Sequence, residues 1–395
     1  MQELIRSRLS YIYLAVFINA LAFSLVFPLL PQYAKLFRLS DLSLGLLASS
    51  FAIAQLFLSP FWGTLSDKFG RKPIIAIGLL GMSASFFLFA TAASPLLLFI
   101  SRFFQGVFSS AVLPSARAYI ADSTTAQDRV RAMGYVGACL ATGFIFGPVL
   151  GGYLAAYSLP LPFLAAGIIA LFNFLLVIKF LTESVQEKVE RKISFKLILT
   201  PLQRIWKGAL GPLAPLFILA FLWSFAMSNN QVAVPVLSIE KFHLNSERIG
   251  LMFTIIGSVS AFTQFFLLSR MTKLFGKHSI AIGGLFIMAL AFTIMPFAPS
   301  APLLYVAAAV AGLGSATTHP VVSALLSEET KEHQGITMGT ATSFESLGRL
   351  LGPLLGGSLL AFGLFAPFLV SGVIITVAVF CILVFTNFLK RGHVT

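Results

Sequence analysis

The chain has 395 residues, of which 57% are hydrophobic and 10% charged, against about 25% charged in an average globular chain. Its apolar residues lie in long runs such as 74–93 and 367–385, matching the roughly 20 residues needed to cross a bilayer core of about 30 Å, so a soluble enzyme, a disulfide scaffold and a disordered tail protein are excluded, as is an outer-membrane barrel with alternating strands. The net charge of +13, from 27 Lys plus Arg against 14 Asp plus Glu, then points to basic cytoplasmic loops rather than to nucleic acid, and the fold class is an all-α polytopic membrane protein.

Hydropathy predicts twelve spans. The first, 10–34, follows Arg6 and Arg8 and mimics a signal peptide; no cleavage site follows and the segment has a counterpart later in the chain, so it reads as a retained helix. Asn19 is its one strongly polar mid-span side chain, with Phe23 and Phe27 beyond it. The second span, 43–65, runs into a loop that reads Gly63-Thr64-Leu65-Ser66-Asp67-Lys68-Phe69-Gly70-Arg71-Lys72-Pro73. Gly63 lets a neighbouring helix approach closely. Asp67 sets an anion at a helix end, where it can meet the positive N-terminus of another helix. Gly70 permits a tight turn, and Pro73 suits the first turn of the third span, 73–92.

The fourth span, 96–120, carries Arg102 and Gln105 on nearly one face, and Asp122 follows it. The fifth, 132–157, contains Gly143, Gly147 and Gly151 at four-residue spacing, a bare face for close packing in lipid, with Pro148 to loosen the helix and permit a bend. The sixth is 161–181. A polar segment, 183–211, holds Glu187, Lys188, Glu190, Arg191, Lys192, Lys196, Arg204 and Lys207. It divides an N-terminal six-helix bundle, 1–182, from a C-terminal one, 212–395.

The second bundle comprises spans 212–238, 247–269, 278–297, 302–326, 335–360 and 365–388. Span 7 brings Trp223 and Phe225 near Asn229 and Asn230; span 10 holds His319; span 11 holds Glu345 and Arg349 at i, i+4 spacing, so that they can pair. Span 11 also repeats the glycine face with Gly348, Gly352, Pro353 and Gly356. Cys139 and Cys381 lie within apolar runs without metal-ligand spacing. No cofactor and no metal site are expected.

The halves repeat at an offset of 205 to 206 residues. Gly45 aligns with Gly250, Phe69-Gly70-Arg71 with Phe275-Gly276-Lys277, Gly106 with Gly312, Pro114 with Pro320 and Asp122 with Glu328. The segment 143–152 aligns with 348–357. Parallel six-helix repeats are the plan of a rocking transporter. Basic residues gather on one side, at Arg6, Arg8, Lys68, Arg71, Lys72, Arg129, Arg131, the central segment, Arg270, Lys273, Lys277, Lys331, Lys390 and Arg391; the other side has Lys35, Arg38, Lys241 and Arg248. Both termini and the central segment are therefore expected in the cytoplasm.

The loop 63–73 resembles motif A of the major facilitator superfamily. Leu98-x-x-x-Arg102-x-x-Gln105-Gly106 resembles its motif B, and 143–152 resembles motif C of the 12-helix drug:proton antiporters. The resemblance covers essentially the whole chain. It implies that Asp67 holds the N-terminal end of span 11 while a cytoplasmic gate is closed, and that Arg71 pairs with Asp122. It gives Arg102 a part in proton transfer or in holding a carboxylate ionised. The second half departs from the pattern, with Ser269 in place of Gly63 and Lys273 in place of Asp67, so an asymmetric gate is expected.

Ionisable groups inside a membrane are costly and mark function. Glu345 is the acidic residue placed well within a span and is the leading proton carrier; the alternative is a permanent ion pair with Arg349 that orders span 11. Arg102 has the alternative of a buried cation satisfied by backbone carbonyls. His319 has an imidazole, the side chain that titrates near neutral pH, or is structural among small residues. The carboxylate that many drug:proton antiporters carry in span 1 is missing here. The expected function is proton-coupled export of hydrophobic or amphipathic organic compounds by a monomer in a bacterial inner membrane. Its partners are a small-molecule substrate, protons and membrane lipids. An apolar cavity with sparse polar groups suits hydrophobic, amphipathic or cationic molecules. Transport of one endogenous metabolite, such as a sugar, siderophore or lipid, is the alternative, and a non-transporting receptor a remote one. No phosphate loop or His-Glu-x-x-His pair supports an enzyme.

Overall fold

In lipid every backbone N–H and C=O must find a partner within the chain, which favours helices for the spanning segments. The structure, a computed structural model, describes residues 2–185, 195–328 and 334–392, and every regular element among them is helical. Glu187, Lys188, Glu190, Arg191, Lys192 and Lys331 lie outside the described residues.

The first span is α1 (Gln2–Ser24), a 3₁₀ turn (Phe27–Leu29) and α2 (Leu30–Leu36). The break falls where Pro28 and Pro31 remove two backbone donors. Then come α3 (Asp41–Phe69), α4 (Arg71–Ala90), α5 (Pro95–Ser123), α6 (Ala126–Tyr157) and α7 (Leu161–Phe180). Caps fix two of these starts: Ser94 Oγ accepts from the Leu97 amide ahead of Pro95, and Thr125 Oγ1 accepts from the Asp128 amide. Part of the predicted polar segment is itself helical, as α8 (Thr200–Ala209). It was legible only as a linker because its alternation of polar and apolar residues is too polar to span a membrane.

The remaining elements are α9 (Ala214–Phe242), α10 (Ser246–Phe262), a π-helical stretch (Thr263–Leu267), α11 (Leu268–Phe275), α12 (Lys277–Ile294), a 3₁₀ turn (Met295–Phe297), α13 (Ala301–Glu328), α14 (Gln334–Leu360) and α15 (Ala366–Gly392). Ten helical stretches among the described residues are long and apolar enough to cross a membrane. The other two predicted spans correspond to α1, apolar over Leu9–Ser24, and to α14, a 27-residue helix made more polar by Glu345 and Arg349.

The chain forms two compact units. One comprises Met1–Arg38, Ser50–Thr200 and Asn245–Thr254; the other Leu39–Ser49, Pro201–Leu244 and Ile255–Thr395. In the first, the glycine face of α6 lies on α1. A Cβ at Gly143 would sit 2.6 Å from Ala20 Cβ, and one at Gly147 would sit 2.8 Å from the Leu21 carbonyl oxygen. Real Cβ atoms do not come so close to backbone, so only glycine fits there. In the second, α14 lies on α9 in the same way: a Cβ at Gly348 would come 2.7 Å from the Phe221 carbonyl oxygen, and one at Gly352 2.6 Å from that of Phe225.

The repeat extends to single hydrogen bonds. In the first unit Thr254 Oγ1 donates to the Ile145 carbonyl (2.8 Å); in the second Ser49 Oγ donates to the Leu350 carbonyl (2.7 Å). Donors and acceptors both stand at the repeat offset. A Cβ at Gly250 would meet the Pro148 carbonyl, and one at Gly45 that of Pro353. The proline removes the bond that would anchor the helix ladder locally, and the bare glycine admits the freed region.

Candidate functional site

At the corner between α3 and α4, Gly70 turns the chain with φ 109° and ψ 159°, a conformation reserved for glycine. The turn places Arg71 against two carboxylates. Its Nε donates to Asp122 Oδ2 at 3.0 Å, and Nη1 donates to Asp67 Oδ1 and, at 3.3 Å, to Ser66 Oγ. Arg71 is largely buried, with its side chain 13% exposed. One planar guanidinium thus bridges the end of α3 to the end of α5, which a lysine's point charge could not do with the same geometry.

Glu183, just after α7, completes the corner. Its Oε1 accepts from the Arg71 amide at 2.8 Å, and Oε2 from the Lys72 amide at 3.2 Å. An anion at a helix N-terminus satisfies orphan donors and complements the helix dipole. Ser184 Oγ donates to Asp122 Oδ2 at 3.4 Å. Glu183, Ser184 and Ser66 were not singled out from sequence; the available signal was an acid falling just beyond a span, beside a helix start that has no side-chain cap of its own.

The corresponding corner of the second unit has Gly276 at φ 78° and ψ 155°. Lys277 Nζ pairs with Glu328, at the positions repeating Arg71 and Asp122. Part of the corner is therefore duplicated. The three-charge arrangement is not, because Lys273 brings a cation where Asp67 brings an anion.

Inside the first unit Arg102 is 2% exposed. Its Nη1 donates to Gln105 Oε1 at 2.8 Å, and its guanidinium lies 5.3 Å from the Phe51 ring centroid, within the range of a cation–π contact. Arg102 Nε and Gln105 Nε2 are buried without a hydrogen-bond partner among the described residues, as is Asn19 Oδ1.

Inside the second unit α9, α13 and α14 bring together four residues. The Glu345 carboxylate is shared: Oε1 lies 3.1 Å from His319 Nε2, and Oε2 lies 3.7 Å from Arg349 Nη1. The Trp223 indole stacks on His319, with centroids 4.4 Å apart and planes at 29°. Arg349 Nη2 donates to Ser346 Oγ at 2.9 Å. Trp223, His319 and Glu345 border a pocket that Thr318, Ser323 and Leu326 also wall. The predicted Glu345–Arg349 neighbourhood is present, while the stack of Trp223 on His319, far apart in sequence, carried no sequence signal.

Asn229 and Asn230 are engaged deeper in this unit. Asn229 Nδ2 donates to the Pro367 carbonyl (2.7 Å) and to Ser371 Oγ (2.6 Å), and Asn230 Nδ2 donates to Ser371 Oγ (2.9 Å). They tie α9 to α15.

The sequence matches the family model described as Major Facilitator Superfamily over residues 12–228 and 216–393. It is 33% identical over 370 residues to Multidrug resistance protein 1 of Bacillus subtilis (strain 168), covering 92% of each chain. It is 30% identical over 366 residues to Quinolone resistance protein NorA of Staphylococcus aureus, covering 90% of each. Among solved structures, the human organic anion transporter MFSD10 (TETRAN) is similar at a TM-score of 0.73 and 25% identity, over 96% of this chain and 99% of that one.

Proposed function

The chain belongs to the major facilitator superfamily, so it is a multi-pass membrane transporter of small molecules and not an enzyme, and we propose that it exports hydrophobic and amphipathic organic compounds by proton antiport. The observation that carries this reading is the position of Glu345. Its carboxylate lies on the wall of a pocket beside Trp223, shared between His319 and Arg349. A carboxylate held between a titratable imidazole and a guanidinium can change partners when a proton or a substrate arrives, which is what coupling requires. The relatives named for multidrug and quinolone resistance, matched over nine-tenths of both chains, support export of drug-like compounds.

In this reading Asp67, Arg71 and Asp122 form the cytoplasmic gate, with Gly70 shaping its corner; the close helix approach expected at Gly63 has no part in it, since a Cβ there would meet nothing within 4 Å. Asp67 engages the N-terminal end of α14 when the gate is closed. Arg102 and Gln105 serve the proton route of the N-terminal bundle (1–182), with Asn19 beside the cavity. Pro148 and Pro353 let α6 and α14 bend during the transport cycle while their glycine faces stay packed on α1 and α9. The protein acts as a monomer in a bacterial inner membrane, with both termini and the segment 183–211 in the cytoplasm, as the basic loops suggest.

The test is transport in proteoliposomes under an imposed pH gradient, with a panel of dyes, drugs and metabolites. Glu345→Gln is expected to abolish dependence on the gradient. Proton-coupled transport that persists in this variant removes Glu345 from the mechanism.

A further inference from the structure

Helix α8 has a packed side and an apolar side that its own unit leaves uncovered. On the packed side Pro201 and Gly208 are buried. A Cβ at Gly208 would lie 2.7 Å from Thr340 Cγ2 and 3.0 Å from Phe344 Cε2. This presses α8 onto α14 and, through the Phe217–Phe344 ring stack with centroids 5.5 Å apart, onto α9. Leu202, Trp206 and Leu210 stand at four-residue spacing on another side, so they form one stripe, and they are 43%, 71% and 74% exposed. Gln203 and Lys207 are exposed beside that stripe. Arg204, three residues from Lys207 and so its neighbour on the helix surface, reaches α14, where a Cβ at Gly339 would come 2.7 Å from Arg204 Nη1. The stripe also has a fixed depth. Even an extended chain from Ala209 to Ala214 covers at most about 18 Å, and here it is folded shorter. The Gly211 amide donates to the Gly208 carbonyl (3.2 Å) and the Ala214 amide to the Gly211 carbonyl (3.0 Å). Ala214 starts α9, which is long and apolar enough to cross a membrane, so α8 lies at the edge of the bilayer, in its headgroup layer.

We propose that α8 is a docking surface for anionic phospholipid of the cytoplasmic leaflet, with Leu202, Trp206 and Leu210 sunk among the upper acyl carbons and Lys207, beside Arg204, meeting the headgroup phosphates. Held there, α8 seats the first three turns of α14, the helix that carries Glu345. The choice of leaflet rests on the orientation proposed above, and no step of the export reading enters it. Three observations select lipid. An indole at the membrane edge keeps its ring in the apolar layer and its N–H in the wet one, which is why tryptophan is favoured at that depth. An apolar stripe bordered by cations is the pattern of a helix lying in the plane of the membrane. The charge is complementary, because the cytoplasmic leaflet is negative and draws Lys and Arg to it. A second copy of the chain fits less well: a two-fold pairing on this stripe is isologous and brings the Lys207 side chains of both copies alongside one another.

The experiment uses the full-length protein in nanodiscs, whose two faces share one lipid composition, so its result does not depend on orientation. The emission that Trp206→Phe or Trp206→Tyr removes reports on Trp206. That component should be quenched by phospholipids brominated high on the acyl chain and little by aqueous acrylamide. Brominated phosphatidylglycerol should quench it at least about five-fold more strongly than brominated phosphatidylcholine at the same mole fraction, the preference expected when one cation meets a headgroup. The double variant Arg204→Gln/Lys207→Gln should lose that preference and keep the quenching by phosphatidylcholine. Hydrogen exchange of the amides 336–345 in α14 should be slower with phosphatidylglycerol than with phosphatidylcholine alone in the wild type, and equal in the double variant. Quenching of Trp206 by acrylamide and by neither lipid overturns the proposal and puts the stripe in water. Quenching by none of the three overturns it in favour of a stripe covered by protein. Equal quenching by the two brominated lipids in the wild type overturns the recognition of anionic lipid, and exchange at 336–345 that is the same in both membranes overturns the seating of α14. Each of these results leaves the export reading standing, since none of them measures transport.

Discussion

The corner glycines allow a prediction with an internal control. Gly70 and Gly276 share the same glycine-only backbone region, at φ 109° and 78° with ψ 159° and 155°. Alanine at either site therefore carries a similar backbone strain, about 1–3 kcal/mol. The surroundings differ. A Cβ at Gly276 would meet nothing within 4 Å, whereas one at Gly70 would lie 2.7 Å from Glu183 Cδ and 3.3 Å from its Oε1. The carboxylate would have to leave, giving up its bonds to the Arg71 and Lys72 amides. Loss of a helix N-cap costs about 1–2 kcal/mol. Gly70→Ala should thus be more destabilising than Gly276→Ala by about 1–2 kcal/mol. At roughly 2–4 °C per kcal/mol for a unit of about 200 residues, this is about 2–8 °C in melting temperature. Thermal unfolding of the detergent-purified protein, followed by tryptophan fluorescence, reads the difference. In a Glu183→Ala background the excess should vanish, because the cap is already gone. Equal shifts for the two glycines, or an excess that survives Glu183→Ala, would refute the assignment of Glu183 as the cap of α4.

Asp67→Asn should impair transport while leaving expression largely intact; unchanged transport would withdraw the residue from the gate. Lys277→Gln breaks a pair whose side chains are 41% and 55% exposed, where an ion pair contributes about 0–1 kcal/mol, so it should slow transport less than Arg71→Gln; the reverse ranking would contradict the asymmetry of the corners. Asn229→Ala strips the buried Pro367 carbonyl and Ser371 hydroxyl of a donor, and each unsatisfied group costs about 1–3 kcal/mol. A melting temperature unchanged from wild type would show that the α9–α15 tie is replaced by other partners.

The spans and their repeat were legible because a bilayer imposes a length on each apolar run, and because glycine and proline recur wherever backbones must approach. Arg71 and Asp122 were legible as partners through a motif at fixed spacing. Glu183 was not: its role is to reach amides over a hundred residues away in sequence, and no local periodicity records such a contact. The break at Pro28 is visible as a proline, but continuous hydropathy concealed it within one span. The helix α8 escaped because a segment judged only for its ability to cross a membrane appears as a linker when it is amphipathic.

The repeat itself separates scaffold from chemistry. Positions held by both halves, such as Gly147 and Gly352 or Gly45 and Gly250, are those where the structure brings backbone against backbone. Four ionisable residues inside the spans obey the opposite rule. At the repeat offset Glu345 corresponds to Leu140, Arg349 to Phe144, His319 to Leu113 and Arg102 to Ala308. Each stands opposite an apolar residue. Duplication supplied two equivalent sets of helices, and packing required both to keep their glycines. A charge inside a membrane has no packing role that the other half must share and is costly unless it is used. Departure from the repeat therefore marks all four, and three of them, with Trp223 stacked on one, form a single cluster in the second unit.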